Sequence, residues 1–154
     1  MQADSWFASR GRLGILGGGQ LGKMILEEAI RLDITVAVMD AQSDCACSGI
    51  TPLFYQGQLT SFDDVLAFGK QLDVLTIEIE NVNTEALSAL EDMGKKVFPR
   101  PATIALIQDK GEQKKFYFQH EIPTADFKIF EGKEAVADAL NSGEWSCPVV
   151  WKSR

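Results

Sequence analysis

The sequence lacks any hydrophobic run that would cross a membrane, and it has no excess of basic charge. No stretch of about 18 consecutive apolar residues occurs among its 154 residues, which argues against a transmembrane helix. Its 15 Lys and Arg residues stand against 22 Asp and Glu residues, giving a net charge of −7. Because a nucleic-acid-binding protein needs basic surface to neutralise phosphates, we expect no nucleic acid as partner. Since no transmembrane helix is predicted, we expect no membrane as partner either.

Cysteine and histidine are also scarce. The sequence has an odd number of cysteines, Cys45, Cys47 and Cys147, so no disulfide framework is expected. It does not open with a basic segment followed by an apolar one, so no secretory signal is expected. Free thiols in the cytoplasm fit this pattern. Cys45, Cys47 and the single His120 are few ligands for a zinc site. Small, buried loop residues are the plainer interpretation of the two neighbouring cysteines.

Strand and helix patterns alternate over the first hundred residues. Strands are predicted at 13–16, 34–39, 53–55, 74–79 and 97–98, and helices at 20–32, about 61–70 and 84–93. This alternation predicts the α/β class, with a Rossmann-like, doubly wound parallel sheet. Two prolines at 99 and 101 mark a boundary between a domain over 1–98 and the beginning of a second over 99–154. There we predict helices at 102–107, 110–120 and 133–141, and strands at 127–130 and 149–152.

A glycine-rich turn connects the first strand to the first helix. Gly17–Gly22 matches G-x-G-x-x-G, in which glycines let the backbone approach a phosphate at the helix N-terminus. The turn is either a plain connection or a ligand site. One candidate ligand is a dinucleotide, with Asp40 at the end of the second strand holding its ribose. A P-loop is disfavoured, because Met24 stands where a hydroxyl must bind magnesium.

Two glutamates occupy the end of a predicted strand. Glu78 and Glu80 alternate with isoleucines over 76–81, and the carboxyl ends of parallel strands line the ligand crevice. Because central parallel strands are usually apolar on both faces, Glu78 is predicted to accept hydrogen bonds from a substrate hydroxyl or amine. The alternatives are that the glutamates are solvated or that a carboxylate caps a loop. For Glu80, these alternatives are as well supported as a role in substrate binding.

Four segments in the same order resemble the ATP-grasp enzymes of purine biosynthesis, most closely the N5-carboxyaminoimidazole ribonucleotide synthetases, the ATPase subunits of phosphoribosylaminoimidazole carboxylase. The segments are Gly17–Met24, Thr76–Asn81, Gln108–Phe116 with Ile122–Ala125, and Val149–Lys152. The similarity runs from about Leu13 to Arg154. It implies a pre-ATP-grasp substrate domain followed by the incomplete beginning of an ATP-grasp domain.

The resemblance also implies an activity. Such enzymes are ATP-dependent ligases that carboxylate 5-aminoimidazole ribonucleotide with bicarbonate to N5-carboxyaminoimidazole ribonucleotide in de novo purine (IMP) biosynthesis. The implied ribotide contacts, among them contacts to the 5′-phosphate, are Gly18, Gly19, Gln20, Leu21 and Glu78. The implied contacts with ATP phosphates are Lys110 and Lys152.

In the family, the magnesium ligands and a glycine-rich lid follow the position of Lys152. We therefore expect no catalytic or metal-binding residue within this segment, and no ligase activity from the segment alone. ATP and Mg²⁺ are expected as cofactors, with the metal ligands beyond residue 154. The resemblance suggests a homodimer for the full-length enzyme. Two other hypotheses remain: an NAD(P)-dependent reductase domain that uses Asp40, and a non-catalytic module that binds a regulatory phosphate.

Overall fold

A five-stranded parallel sheet is the framework of the first part of the chain. A computed structural model describes residues 12–143, 145–146 and 148–152, so Cys147 lies outside the described residues. The strand order is β3-β2-β1-β4-β5. The strands are β1 (Leu13–Leu16), β2 (Val36–Asp40), β3 (Phe54–Gln56), β4 (Val74–Ile77) and β5 (Lys96–Phe98). This arrangement confirms the predicted Rossmann-like, doubly wound sheet.

Six helices occur among the described residues, in the sheet domain and in the segment after it. They are α1 (Gln20–Arg31), α2 (Phe62–Lys70), α3 (Thr84–Asp92), α4 (Pro101–Gln108), α5 (Lys110–Gln119) and α6 (Lys133–Asn141). Two of the predicted helix starts in the first hundred residues have side-chain caps. Ser61 Oγ accepts the Asp64 amide at 3.3 Å, and Asn83 Oδ1 accepts the Ala86 amide at 2.8 Å. Within the described residues, no helix has the length and apolar character needed to span a bilayer.

Both faces of the sheet are buried, which explains why its strands are apolar on both sides. Along β2, Val36 and Val38 belong to a core cluster that contains Leu26 of α1. The alternate residues of β2, with Met39 among them, join a second cluster that includes side chains of α2 and α3. Helix α1 therefore covers one face, whereas α2 and α3, with Ile104 of α4, cover the other.

The strand predicted to continue to Ile79 ends at Ile77, so the predicted alternation of residues 76–80 is wrong beyond that point. The last pair in this part of the sheet joins Leu16 of β1 to Ile77 of β4. Because β1 stops there and the chain turns away through Gly17, the residues that follow β4 have no strand of β1 beside them. Glu78 and Glu80 consequently lie in the bend that follows the strand.

Contacts divide the chain into two compact units, over 1–105 and 106–154. The domain boundary placed at residue 98 from the sequence remains a prediction. In the second unit the strands predicted at 127–130 and 149–152 are wrong, since neither segment belongs to a strand. The Phe130 and Trp151 rings lie 6.1 Å apart. A β-branched and aromatic composition makes a strand only where another strand pairs with it, and these segments form no such ladder.

Gly69 of α2 allows α2 to pack closely on α3. A Cβ at Gly69 would overlap the Cδ1 of buried Leu90 and lie 2.8 Å from its Cδ2. We expect Gly69→Ala to lower the free energy of unfolding by about 1–3 kcal/mol through overpacking, against a gain of about 1 kcal/mol in helix propensity. Urea unfolding followed by circular dichroism measures the change.

The matched control is the same substitution in a Leu90→Ala background, where the methyl group has room. There Gly69→Ala is expected to be neutral or stabilising. A higher unfolding midpoint for Gly69→Ala in the otherwise unchanged chain would contradict this account of the helix packing.

Cys47 lies fully buried in the cluster beneath α1. Burial, followed by the nearby Cys45, Asp40 and Glu78, raises the pKa of the Cys47 thiol to about 11. At pH 8 only about 0.1% of the Cys47 side chain is then thiolate, the reactive form.

We expect iodoacetamide to label the partly exposed Cys45 at least tenfold faster than Cys47 in the folded chain, as read by peptide mass spectrometry. The two rates should converge in urea, and equal rates in the folded chain would show that Cys47 is accessible.

Candidate functional site

The order of the strands reverses beside β1. From β1 the chain proceeds to β2 and β3 on one side of the sheet, whereas β4 and β5 lie on the other side. In open parallel sheets, ligands bind in the crevice at the carboxyl ends of the strands where this reversal occurs. The turn Gly17–Gly19, called the glycine turn below, follows β1 at this point, and Glu78 follows β4.

The glycine turn and Glu78 are in direct contact. The Glu78 amide donates to the Leu16 carbonyl at 2.8 Å, which extends the β1–β4 ladder by one bond. Gly17 has a φ of +108°, and a Cβ there would lie 2.6 Å from Glu78 Oε2. Both the backbone conformation and the close carboxylate therefore require glycine at this position.

The N-terminus of α1 has no side-chain cap, in contrast to those of α2, α3 and α5. Helix α6 also lacks a side-chain cap, but Glu134 lies in its first turn. Gly19 is its N-cap residue and makes no side-chain cap bond, and the first turn of α1 contains no acidic residue. By comparison, Ser61, Asn83 and Asp109 cap α2, α3 and α5. The first amides of a helix have no intrahelical acceptor and carry its positive dipole end. This end of α1 can therefore donate hydrogen bonds to an oxygen of a ligand.

Glu78 places an acceptor beside these donors. Its side chain is half-buried, and no group in the described residues donates a hydrogen bond to its carboxylate. A Cβ at Gly19 would lie 3.3 Å from Glu78 Oε1, so the carboxylate is next to the first turn of α1. The site thus offers backbone donors and a carboxylate acceptor within one small turn. A ligand with both an acceptor oxygen and an amine or hydroxyl donor matches this pair.

Asp40 ends β2 as predicted, but its carboxylate is bonded to the turn itself. Oδ2 accepts the Gly18 amide at 2.7 Å, and Oδ1 accepts the Gln42 amide at 2.9 Å. In the dinucleotide interpretation this carboxylate would instead hold a ribose. In the structure, both carboxylate oxygens of Asp40 instead accept backbone amides of the glycine turn and of the loop after β2.

The loop after β2 also touches the turn, which the sequence did not indicate. The Cys47 amide donates to the Gly18 carbonyl at 3.1 Å, and a Cβ at Gly18 would lie 2.5 Å from Cys45 Sγ. This contact depends on the path of residues 41–52, for which the sequence carries no periodic signal. In the part of the chain that the structure describes, no group of three or more His, Cys, Asp or Glu side chains is arranged to hold a metal ion.

The remaining predicted ribotide contacts lie at the edge of the turn. Gln20 and Leu21 open α1 and are exposed, and the side chain of Leu21 is 60% accessible. Glu80 is exposed in the bend after β4. The structure therefore brings Gly18, Gly19 and Glu78 together with the first turn of α1, and it leaves Glu80 outside this contact.

Both lysines predicted to hold ATP belong to the second compact unit. Lys110 begins α5, as predicted, and its Nζ donates to the Ile107 carbonyl at 2.6 Å. The cation at this helix start is offset by Asp109, whose Oδ1 accepts the amides of Gly111 and Glu112 at 2.8 and 3.0 Å. Lys152 is exposed and, contrary to the prediction, does not end a strand.

Comparison with known proteins identifies the family. The model of the ribonucleotide synthetase preATP-grasp domain matches residues 11–108. Phosphoribosylaminoimidazole carboxylase of Candida albicans is 40% identical over 147 residues, covering 92% of this chain and 26% of the relative. A carboxyaminoimidazole ribonucleotide synthase of Aspergillus clavatus, solved with ATP, superposes with a TM-score of 0.76 at 33% identity, covering 84% of this chain and 34% of the other.

A further Aspergillus clavatus structure, of N5-carboxyaminoimidazole synthase with ADP and 5-aminoimidazole ribonucleotide, is 37% identical with a TM-score of 0.68. It covers 75% of this chain and 31% of that one. The chain thus spans about a quarter to a third of these relatives. The family match over residues 11–108 includes the β1–α1 turn and β4. The relatives are named as ribonucleotide synthases and carboxylases, which favours the ligase interpretation over a nicotinamide reductase. From the match over residues 11–108, the chain belongs to the ribonucleotide synthetase preATP-grasp family.

Proposed function

We propose that this chain forms the ribotide-binding part of an ATP-dependent ligase. The ligase carboxylates 5-aminoimidazole ribonucleotide with bicarbonate to give N5-carboxyaminoimidazole ribonucleotide in purine biosynthesis. One observation carries the proposal: the open N-terminus of α1 and the Glu78 carboxylate adjoin each other where the strand order reverses. The related Aspergillus clavatus synthase solved with this ribotide supports the substrate.

The ribotide has the two kinds of group that the site can bind. Its phosphate and ribose oxygens are acceptors for the amides at Gly19, Gln20 and Leu21. Its exocyclic amine is a donor for the Glu78 carboxylate, to which no described residue donates. A carboxylate that accepts one N–H of the amine fixes the direction of the nitrogen lone pair. The amine is then oriented for attack on an activated carboxyl group.

ATP supplies the phosphoryl group that activates bicarbonate. Lys152 is exposed and available to a phosphate, whereas Lys110 would exchange its bond to the Ile107 carbonyl for one. We propose that the Mg²⁺ ligands lie in the part of a longer ligase that this chain does not cover, since the chain spans 26% and 34% of two related enzymes. A cytoplasmic homodimer is the proposed form of that enzyme.

Calorimetry with 5-aminoimidazole ribonucleotide tests the proposal. We expect the 154-residue chain to bind the ribotide, and Glu78→Gln to weaken binding by about 10- to 100-fold, the value of a hydrogen bond to a charged group. Glu91→Gln, an exposed substitution on α3, is the matched control and should leave binding unchanged.

Two further titrations separate the other hypotheses. Tight binding of NADH that Asp40→Ala abolishes would support a reductase and contradict the proposal. Equal affinity for inorganic phosphate and for the ribotide, unaffected by Glu78→Gln, would instead support a module that binds a regulatory phosphate.

A further inference from the structure

The Gly18 peptide is held on both sides by the segment that follows β2. Its amide donates to Asp40 Oδ2 at 2.7 Å, and its carbonyl accepts the Cys47 amide at 3.1 Å. Gly18 is buried. Among the implied ribotide contacts, Gly18 therefore has its backbone groups already committed within the protein. The donors left for a ligand begin with the next residue, Gly19.

Asp40 joins two segments that are 22 residues apart. While Oδ2 accepts the Gly18 amide, Oδ1 accepts the Gln42 amide at 2.9 Å. Two bonds to the two oxygens of one carboxylate fix its plane as well as its position. Hydrogen bonds to an ionised acceptor are roughly twice as strong as neutral ones. The carboxylate therefore fixes where the glycine turn leaves β1 and how it enters α1.

Close packing makes this arrangement specific to Gly18. A Cβ at Gly18 would lie 2.5 Å from Cys45 Sγ and 3.2 Å from the Cβ of Asp40. The Gly17 amide, in turn, donates to the Met39 carbonyl at 2.9 Å, next to Asp40 in β2. The end of β2 thus holds two successive residues of the turn. The end of β4 supplies the third contact, since Glu78 lies against Gly17 and Gly19.

We propose that Asp40 is a positioning residue for the ribotide: its carboxylate holds Gly18, so that the amides of Gly19, Gln20 and Leu21 stay beside Glu78 in a binding arrangement. This inference rests on the proposed function. Asp40 acts through the turn and does not contact the ribose, in contrast to the acidic residue of dinucleotide sites at the same spacing. A turn that is ordered before binding avoids the entropic cost of ordering it when the ligand arrives.

The test compares two carboxylates that make the same kind of bond. Asp64 Oδ2 accepts the Gln58 amide at 2.8 Å at the start of α2, so Asp64→Asn and Asp64→Ala change an equivalent bond outside the glycine turn. Asp40→Asn and Asp40→Ala are the test variants. Thermal unfolding, calorimetry with 5-aminoimidazole ribonucleotide and ¹H–¹⁵N spectra are recorded for each.

We expect the Asp40 and Asp64 variants to lose similar amounts of thermal stability, while only the Asp40 variants lose affinity. Asp40→Ala should weaken ribotide binding by about tenfold, the equivalent of one hydrogen bond. The ribotide affinity of Asp40→Asn should lie between those of the unchanged chain and Asp40→Ala, because the one carbonyl oxygen of the Asn side chain still accepts the Gly18 amide. The amide resonances of residues 18–21 should move in the Asp40 variants and stay in place in Asp64→Asn.

Ribotide affinity in Asp40→Ala equal to that of the unchanged chain would overturn the inference while leaving the proposed function intact. Failure of the unchanged chain to bind the ribotide would instead count against the proposed function. In that case the spectra alone decide whether Asp40 holds the glycine turn. Unmoved resonances for residues 18–21 in Asp40→Asn would refute that hold. Movement confined to the Asp40 variants would sustain the hold on the turn, but not the positioning of a ribotide.

Discussion

At Gly17 the chain leaves β1 with a φ of +108° and passes so close to Glu78 that a Cβ would lie 2.6 Å from its carboxylate. This close approach of a backbone turn to an acidic side chain is the constraint on which the site depends. It is possible because β1 and β4 are neighbours in the sheet although about 60 residues separate them along the chain. A side chain at Gly17 would push the carboxylate away from the first turn of α1 and separate the donors from the acceptor.

Two carboxylates, those of Asp40 and Glu78, approach this turn, and they are bonded differently. The structure closes the N-termini of α2, α3 and α5 with polar side chains, whereas it leaves that of α1 open. Asp40 approaches the turn from β2 and bonds to Gly18, and Glu78 approaches from β4. One carboxylate is therefore used to shape the turn, and the other remains available as an acceptor. This difference in bonding is the basis for the positioning role that we propose for Asp40 and the binding role that we propose for Glu78.

Much of this was predictable from local sequence. The alternation of strands and helices predicted the parallel sheet, and the helix predicted from about residue 61 begins after the Ser61 cap, whose spacing to Asp64 is typical of a helix start. The glycine turn and Glu78 were identified because they break patterns, with glycines after a buried strand and acids at the end of another. Their roles toward a ribotide stay predictions, as do those of Gln20, Leu21, Lys110 and Lys152.

Features that depend on distant partners escaped prediction. Strands at 127–130 and 149–152 were inferred from composition alone, but a strand also needs a paired neighbour. Asp40 has the correct spacing for a ribose contact, and only the path of the loop shows that it bonds to Gly18. The contact of Cys47 with the same residue has no sequence signal, since it depends on how residues 41–52 fold back. For Asp40 and Cys47, the partner lies more than 20 residues away in the sequence.

We propose that the ribotide binds where the open end of α1 meets Glu78. This position can be tested by titrating ¹⁵N-labelled protein with 5-aminoimidazole ribonucleotide and following each residue in ¹H–¹⁵N spectra. We expect the largest shift changes at Gly19, Gln20, Leu21 and Glu78, with smaller ones in the loop after β2. Changes confined to the opposite, amino-terminal edge of the sheet, or to the second compact unit, would contradict it.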